Sequence, residues 1–414
     1  MKVLISAYSC EPGRGSERGV GWNVAYEVAK RNEVWVLTRP DESREAIEAE
    51  LAANPVPNLH FVYFTLPFWK DSMRLGQSGA MQIHYYLWQI QAYFVAKELH
   101  QKIGFDLAHH VTFVKYSAPS LLSLLPIPFI WGPVGGGESA PSRFWKDFSP
   151  RARFYELGRD LVRNIGQRDP LVGLTIRNST IVRSTTDDTA ERLYKMGASQ
   201  VQIVPEVGLL DDEIAALNRL PIPELPPIRF VSIGRLLHWK GFHLGIQAFA
   251  QANLSEAEYW LIGDGPEIDN LKHLARDCGV ADRVKFWGRL SREETLEKLG
   301  KSHVLVHPSL HDSGGWVCIE AMASGRPVIC LELGGPAIQV TSQAGFKVSA
   351  ETPEQVIDDI ATAMEKLEGN SDLRLQMGKA GRQLVDSNFN WKVIAERLDT
   401  VYQDAMVNYG NLKD

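Results

Sequence analysis

Two basic residues lie five positions apart in the second half of the chain. Arg235 follows an apolar stretch typical of a strand, and Lys240 precedes a stretch typical of a helix. Because both flank one strand-to-helix turn, their side chains can converge on one anion, and the helix start adds free N–H groups. A forked guanidinium and an ammonium group together suit a diphosphate. Two solvated surface cations would give the same spacing, so a diphosphate is one of two readings of this pair.

A second segment, 307–330, holds two acids on either side of a glycine-bearing turn. Asp312 precedes Gly314 and Gly315, and Glu320 follows among apolar neighbours in a predicted helix. Glycines let backbone amides face a ligand, and carboxylates accept hydrogen bonds from the paired hydroxyls that sugars offer. Asp312 could also be a helix N-cap and Glu320 a solvated helix acid, but an acid between "VCI" and "AMA" fits that alternative poorly. The segment therefore indicates a site for sugar and ribose hydroxyls.

Two further strand-end turns carry weaker signals. The turn "LIGDGPE" contains Gly263 and Gly265, and "KFWGRL" ends in Gly288 and Arg289. Tight backbone geometry would allow close approach of a ligand at the first turn, and a nucleobase could lie against the second. A plain β-turn and a buried strand explain them equally well.

The first half of the chain offers a glycine-rich loop and a pair of histidines. The loop, at 10–23, has a GxGxxxG spacing, not the GxGxxG of a dinucleotide fold, and no acid about 20 residues on ends the second predicted strand. This argues against a dehydrogenase. Glu17 in the loop is a candidate for contact with an acceptor. His109 and His110 end a later strand, where a structural role and a functional role are both open.

Alternating strands and helices must position these residues. The alternation predicts two doubly wound parallel α/β domains facing a cleft, with ligands at the carboxyl ends of the strands. We expect an N-terminal domain over 1–205, a proline-rich linker over 206–227 and a nucleotide-sugar-binding domain over 228–389. The last helix, 390–414, is long enough to return to the first domain.

Composition excludes several classes of protein. The 414 residues are 44% hydrophobic and 23% charged, with a net charge of −6, which is ordinary for a globular protein and unlike a nucleic-acid binder. The four cysteines form no CxxC pair, so reduced, buried thiols are expected. The N-terminus reads as a strand, not a signal peptide, and no run reaches the roughly 20 apolar residues of a membrane span. We expect a cytoplasmic protein, with attachment to a membrane surface left open.

Taken together, the motifs resemble glycosyltransferase family 4, a retaining family with the GT-B fold of two Rossmann-like domains. The matching pieces occur in family order: "SIGRLLHWKG", "LIGDGPE", "FWGRL" and "PSLHDSGGWVCIEAMASGRPVI". The last piece resembles the family's E-x7-E element, with Asp312 in place of the first Glu and Glu320 as the second. "SGGW" also departs from the family's Gly-Phe-Gly-aliphatic sequence. The resemblance is strongest over 230–335 and continuous elsewhere.

The resemblance implies a role for each matched residue. Arg235 and Lys240 would bind the donor diphosphate and stabilise the departing nucleotide, Glu320 would hold the ribose, and Asp312 would orient the sugar. The remaining implied donor contacts are the amides of Gly314, Gly315 and Trp316, the strand-end residues Gly263 and Arg289, and the loop glycines Gly15 and Gly19. His110, with His109 as the alternative, would touch the donor sugar near the reacting carbon. No metal is implied, because Arg and Lys take that role, and no DxD triplet is present.

The function implied is transfer of a sugar from a UDP- or GDP-sugar to a hydroxyl of a glycan or lipid-linked acceptor, by front-face attack with retention. The nucleotide sugar is a co-substrate, so no permanently bound cofactor is expected, and a peripheral position at the inner membrane face stays open. Two alternatives remain: a sugar-nucleotide epimerase of the same architecture, and a non-catalytic nucleotide-sugar binding protein. Release of nucleoside diphosphate only when acceptor is added would favour transfer.

Overall fold

The computed structural model describes residues 1–69, 79–205, 207–254 and 256–411. The chain divides into two compact units. The first comprises Met1–Gly137, Gly158–Val207 and Trp391–Asp414, and the second comprises Glu138–Leu157 and Gly208–Asn390. Residue 206 of the predicted linker and residues 412–414 of the predicted last helix lie outside the described residues.

The first unit is built on a parallel sheet of seven strands. In chain order these are β1 (Lys2–Ala7), β2 (Glu33–Thr38), β3 (Leu59–Tyr63), β4 (Leu107–Thr112), β5 (Phe129–Val134), β6 (Ile181–Ser184) and β7 (Val201–Ile203). Their order across the sheet is β3-β2-β1-β4-β5-β6-β7. The helices up to β7 are α1 (Ser16–Ala29), α2 (Pro40–Ala53), α3 (Gly79–Ile103), α4 (Pro150–Gln167), α5 (Pro170–Asn178) and α6 (Asp187–Lys195). The boundary between the two units falls within α4.

The second unit has a parallel sheet of six strands. Its strands are β8 (Ile228–Ile233), β9 (Ala257–Ile262), β10 (Val284–Gly288), β11 (Val304–His307), β12 (Val328–Leu331) and β13 (Gly345–Val348), in the order β10-β9-β8-β11-β12-β13. The helices are α7 (Asp211–Asn218), α8 (Phe242–Ala252), α9 (Ile268–Asp277), α10 (Arg292–Gly300), α11 (Trp316–Ala323), α12 (Gly334–Gln339), α13 (Pro353–Glu368) and α14 (Ser371–Asn388). Helix α15 (Trp391–Asn411) follows. Short 3-10 turns occupy Leu121–Leu124, Ser142–Asp147 and His238–Lys240.

The central strands are buried on both faces, which is why they read as continuous apolar runs and not as alternating ones. Val3, Leu4 and Ile5 of β1 are fully buried, as are Val304 and Leu305 of β11. In each sheet one pair of neighbouring strands marks the point from which later strands are added on the opposite side. This pair is β1 and β4 in the first unit and β8 and β11 in the second. The carboxyl ends of such a pair are where ligands bind in open α/β sheets. Most candidate residues lie at or after the ends of these four strands, and Gly263 and Arg289 follow β9 and β10 instead.

Helix α15 belongs to the first unit, as the sequence predicted for the last helix. Arg31 forms ion pairs with Glu396 at 3.0 Å and with Asp399 at 3.2 Å. The buried Tyr402 hydroxyl lies 2.9 Å from the Nδ1 atom of His109 on β4. These contacts attach the end of the chain to the sheet that its beginning forms.

The division of the chain differs from the predicted domain bounds in two places. Glu138–Leu157 groups with the second unit because Phe144 and Phe148 lie in the same hydrophobic cluster as β8. The segment predicted as a linker, 206–227, contains α7, which buries Ile214 and Leu217. Its prolines lie outside that helix, so proline content alone did not reveal a folded segment.

None of the helices among the described residues combines the length and the apolar composition that a membrane span requires.

Candidate functional site

The loop after β8 carries two basic side chains, of which one has no partner among the described residues and the other forms an ion pair. Arg235 is exposed, and its side chain has no hydrogen-bond or ion-pair partner among the described residues. Lys240 ends the 3-10 turn and is followed by Gly241, which has a φ of +67° and caps α8. A Cβ on Gly241 would lie 1.9 Å from the Pro308 carbonyl oxygen. Glycine at this position therefore lets α8 begin in direct contact with the segment that carries Asp312.

Asp312 is the centre of a hydrogen-bonded cluster. Its Oδ2 atom lies 2.5 Å from Lys240 Nζ and 3.1 Å from His307 Nε2. Its Oδ1 atom accepts hydrogen bonds from the backbone amides of Gly314 at 3.2 Å and Gly315 at 3.1 Å. The structure thus brings together four of the predicted residues. In this arrangement the two glycine amides donate to Asp312, as they would to a helix-capping residue, while the carboxylate also holds Lys240.

The charges of this cluster follow from burial and its partners. Burial alone would raise the pKa of Asp312, but the hydrogen bond from His307 and the charge of Lys240 outweigh it, so the pKa lies well below its usual range. Burial lowers the pKa of His307 despite its bond to Asp312. His307 is therefore neutral at pH 7, and the ring nitrogen that faces the carboxylate, Nε2, carries the proton.

Both ends of α12 hold the Asp312 turn in place. Gln339, fully buried, donates a hydrogen bond to the Gly314 carbonyl, and the Gly335 amide donates to the Asp312 carbonyl at 2.8 Å. Gly315 has a φ of +55°, and a Cβ there would come within 2.9 Å of Gln339 and Pro336 atoms. Only glycine fits this position, so the turn before Trp316, the first residue of α11, is fixed by packing as well as by hydrogen bonds.

Glu320 is buried in α11, at 7% exposure, which excludes a solvated helix acid. Its Oε1 atom accepts a hydrogen bond from Arg292 at 2.6 Å, and Arg292 also reaches Glu213 at 3.1 Å. Burial raises the pKa of Glu320, although Arg292 acts in the opposite direction. Among the described residues nothing bonds to the second oxygen of Glu320, so Oε2 can accept from a ribose hydroxyl.

The two weaker turns also follow strands of the second sheet. Gly263, after β9, has a φ of +140°, and a Cβ there would lie 1.9 Å from the Gly234 carbonyl oxygen. The close approach of the β8 and β9 turns explains this glycine without a ligand. Arg289 follows β10 and is exposed, and its side chain has no partner among the described residues.

The glycine-rich loop of the first unit begins α1. Gly15 is the N-cap of this helix, is exposed, and would bring an added Cβ within 4 Å of no protein atom. A Cβ on Gly19 would instead lie 2.0 Å from the Arg14 carbonyl oxygen. Glu11 braces the loop by ion pairs with Arg14 at 2.9 Å and Arg18 at 2.7 Å. Packing therefore explains Gly19 but not Gly15.

Glu17 lies in the first turn of α1 and accepts a hydrogen bond from the Phe113 amide at 3.0 Å. Phe113, just after β4, has a φ of +59°. Burial raises the pKa of Glu17. The carboxylate thus joins the loop after β1 to the loop after β4 within the first unit.

The two histidines of β4 are both buried but differ in their free atoms. His109 uses both ring nitrogens, Nδ1 with the Tyr402 hydroxyl and Nε2 with the Gly132 carbonyl at 2.7 Å. His110 donates through Nε2 to the Thr112 carbonyl at 3.1 Å, and its Nδ1 has no partner among the described residues. Burial lowers the pKa of each to about 3, so both are neutral. His110 therefore has an unused lone pair, on an atom that is buried in this structure, and His109 has none.

Three residues that contact the predicted site were not predicted from the sequence. His307 lies only five residues before Asp312, and its position at a strand end was the available signal. Arg292 and Glu320 are 28 positions apart, and no local sequence pattern predicts that they pair. Ser313 donates to Glu138 at 2.8 Å across 175 positions, so only the fold could reveal that contact.

Comparison with known proteins gives a consistent result. Residues 220–384 match the family model for glycosyl transferases group 1. Lipopolysaccharide core biosynthesis glycosyltransferase LpsE of Rhizobium meliloti is 30% identical over 223 residues, which are 53% of this chain and 63% of that protein. GDP-mannose-dependent alpha-(1-6)-phosphatidylinositol monomannoside mannosyltransferase of Mycobacterium tuberculosis is 30% identical over 258 residues, 58% of this chain and 64% of that protein. This chain therefore spans less than two thirds of the length of these curated relatives.

Among solved structures, Anabaena Alr3699/HepE in complex with UDP and glucose superposes with a TM-score of 0.59 and 18% identity. The match covers 97% of this chain and 99% of that one. At this level of identity the likeness concerns the fold alone, and it confirms the predicted GT-B architecture.

Proposed function

We propose that this chain, whose residues 220–384 match the family model for glycosyl transferases group 1, transfers a sugar from a nucleoside diphosphate donor to a hydroxyl acceptor with retention. One observation carries the proposal. Two basic residues follow β8 within the segment that matches the family model: Arg235, which is exposed and unpaired among the described residues, and Lys240, which is paired with Asp312. The neighbouring β11 leads into the Asp312 turn. A diphosphate is the ligand whose charge and shape suit this pair.

In the proposed reaction the bond between the sugar's anomeric carbon and the donor phosphate oxygen breaks. The nucleoside diphosphate leaves with the electron pair. The acceptor oxygen forms the new bond on the same face, and its proton passes to the departing phosphate oxygen. Arg235 and Lys240 stabilise the charge that grows on that phosphate, which lowers the barrier because they are already in place. Lys240 would exchange part of its contact with Asp312 for the phosphate.

The rest of the donor is assigned to Glu320 and to the turns of the second unit. Glu320 Oε2 would accept from the ribose hydroxyls, while Arg292 keeps Oε1 in position. Arg289 and the turn at Gly263 would border the base, and the amide of Trp316 would face the phosphate. Asp312, with the amides of Gly314 and Gly315, would orient the sugar once its own hydrogen bonds rearrange.

On the first unit, we assign His110 and the Gly15 loop to the reacting sugar, with Gly19 shaping that loop. The Nδ1 of His110, unpartnered among the described residues, is buried, and it would accept a hydrogen bond from a sugar hydroxyl once the side chains that cover it move. This choice of His110 over His109 is supported by the full engagement of both nitrogens of His109.

The donor is a UDP- or GDP-sugar in this proposal, in line with the UDP bound to the Anabaena neighbour and the GDP-mannose in the name of the mycobacterial relative. The acceptor is a glycan or a lipid-linked saccharide, as the names of the relatives suggest. We propose a cytoplasmic location with peripheral attachment to the inner membrane face.

The test is a screen of nucleotide sugars for thermal stabilisation, followed by measurement of released nucleoside diphosphate. A ligand at 100 times its Kd should add about 2.7 kcal/mol to the free energy of unfolding. Lys240→Ala and Arg235→Ala should abolish most of this gain, whereas Lys379→Ala, an exposed cation on α14, should keep it. Equal stabilisation in all variants would refute the diphosphate site. Donor binding without diphosphate release under any acceptor would instead indicate a binding protein.

A further inference from the structure

Helix α4 turns its apolar side chains to solvent. Five of them are more than half exposed: Phe154 (79%), Leu157 (57%), Leu161 (62%), Val162 (69%) and Ile165 (63%). At 3.6 residues per turn these five and Tyr155 lie within one continuous face, roughly 160° wide. An exposed apolar face of this size marks a surface that another molecule covers.

The opposite side of α4 is polar and buried, the reverse of an ordinary surface helix. Glu156 is fully buried, and its Oε1 atom lies 3.0 Å from His238 and 3.8 Å from His311. These two histidines neighbour the residues of the proposed diphosphate site in sequence. The contacts of Glu156, the stacking of Tyr155 on Trp239 at 5.4 Å and the burial of Ala152 hold this part of α4 to the second unit. The five more exposed apolar side chains remain on the surface.

Positive charge surrounds this face. Segment 143–168 contains seven Lys or Arg and three Asp or Glu, a net charge of +4 in a chain whose total is −6. Arg151, Arg153 and Arg168 are exposed, as are Arg143 and Lys146 in the preceding turn. Lys146 forms an ion pair with Glu354, whereas Arg143 and Arg153 donate only to backbone carbonyls and keep their net charge. On the helix itself, Arg153 and Arg159 border the apolar face on its two sides by their helical positions.

The charge distribution distinguishes between two candidate partners for this face, a second copy of the chain and a lipid bilayer. In a two-fold pair of chains the same basic border would meet itself, because such an interface uses one patch twice, and like charges would repel. An anionic bilayer meets both requirements: apolar side chains enter the boundary between headgroups and acyl chains, and arginines face lipid phosphates. We propose that the apolar face of α4 docks on the surface of an anionic lipid bilayer, with the helix parallel to that surface.

The test is sedimentation of the full chain with lipid vesicles, without donor or acceptor. Its result is therefore independent of whether the proposed transfer reaction is correct. We expect binding to vesicles of phosphatidylcholine with 30% phosphatidylglycerol (a choice of about one anionic lipid in three, within the range that attracts basic surfaces). We expect little binding to pure phosphatidylcholine, and release from the anionic vesicles by high salt.

The decisive variant is Leu161→Gln with Val162→Gln, which should weaken the partition coefficient at least ten-fold (on the order of the loss for two apolar anchors). Its matched control is Leu375→Gln with Val407→Gln, which removes similarly exposed apolar residues from α14 and α15 and should bind as the parent does. Circular dichroism checks that both fold.

Three results would overturn the proposal. They are no binding of the parent to anionic vesicles, equal binding of the decisive variant, and a dimer of the parent in light scattering that becomes a monomer in that variant. The last result would identify a second copy as the occupant.

Discussion

Asp312→Asn should strongly destabilise the second unit. In the structure the carboxylate accepts from four donors, namely Lys240, His307 and the amides of Gly314 and Gly315. An amide in its place has one acceptor atom and one donor group. Whichever way it is turned, its NH2 group must face two donors, so half of the cluster loses its acceptor.

The size of the effect follows from burial. The side chain of Asp312 is 17% exposed and that of Lys240 is 20% exposed. Breaking one partner of a buried ion pair costs about 3–5 kcal/mol, and the partial exposure places the expected loss near the lower end, about 3 kcal/mol. For a folded unit of about 200 residues, this corresponds to a fall in Tm of about 6–12 °C.

The assay is thermal and urea unfolding of the parent and the variant between about pH 3 and pH 8. Because the folded-state pKa of Asp312 is depressed, its stabilisation is complete above the unfolded pKa, about 4, and is lost as the pH falls below that value. The difference between the two proteins should therefore be full at pH 7 and shrink toward pH 3. Asp282→Asn, an exposed control, should change the free energy of unfolding by less than about 0.5 kcal/mol. A D312N variant as stable as this control at pH 7 would refute the reasoning.

Three further predictions concern the assigned site. Gly15→Ala should leave Tm nearly unchanged but lower the transfer rate at least ten-fold (about 1.4 kcal/mol). Gly19→Ala should instead lower Tm, because no space exists for its Cβ. Full activity of the Gly15→Ala variant would count against a contact of this loop with the donor. Glu320→Gln should weaken nucleoside diphosphate binding in calorimetry and leave inorganic pyrophosphate binding unchanged, and equal losses would exclude a ribose contact. His110→Asn, which can place an oxygen where Nδ1 lies, should retain more kcat than His110→Ala, and equal rates would argue for a purely structural histidine.

The fold could be predicted because parallel strands buried on both faces leave a strong sequence signal. The alternation of apolar runs and helices predicted two doubly wound units. The length and apolar pattern of the last helix, α15, predicted that it packs on the first unit. The order of strands across each sheet depends on tertiary pairing, which no local pattern contains. The assignment of Glu138–Leu157 to the second unit depends likewise on burial of Phe144 and Phe148 in a distant core.

The site could be predicted where its residues lie close together in sequence. The turn from Asp312 to Gly315 is such a case. The contact of Asp312 with Lys240 was not predicted, because it joins residues 72 positions apart. The partners Arg292 and Glu138 could not be predicted, since each reaches its partner through the fold.

Helix α4 shows a different limit. Periodicity would place its apolar face inside, yet the structure buries Glu156 and exposes Phe154 and Leu161. An amphipathic pattern gives the two faces of a helix but not which of them meets the core.

The most direct measurement is a crystal structure of the chain with UDP or GDP bound. We expect the diphosphate within about 3 Å of the side-chain nitrogens of Arg235 and Lys240, with the ribose hydroxyls at Glu320. A diphosphate bound at the glycine loop of the first unit, with Arg235 and Lys240 making no contact to it, would contradict the proposed donor site.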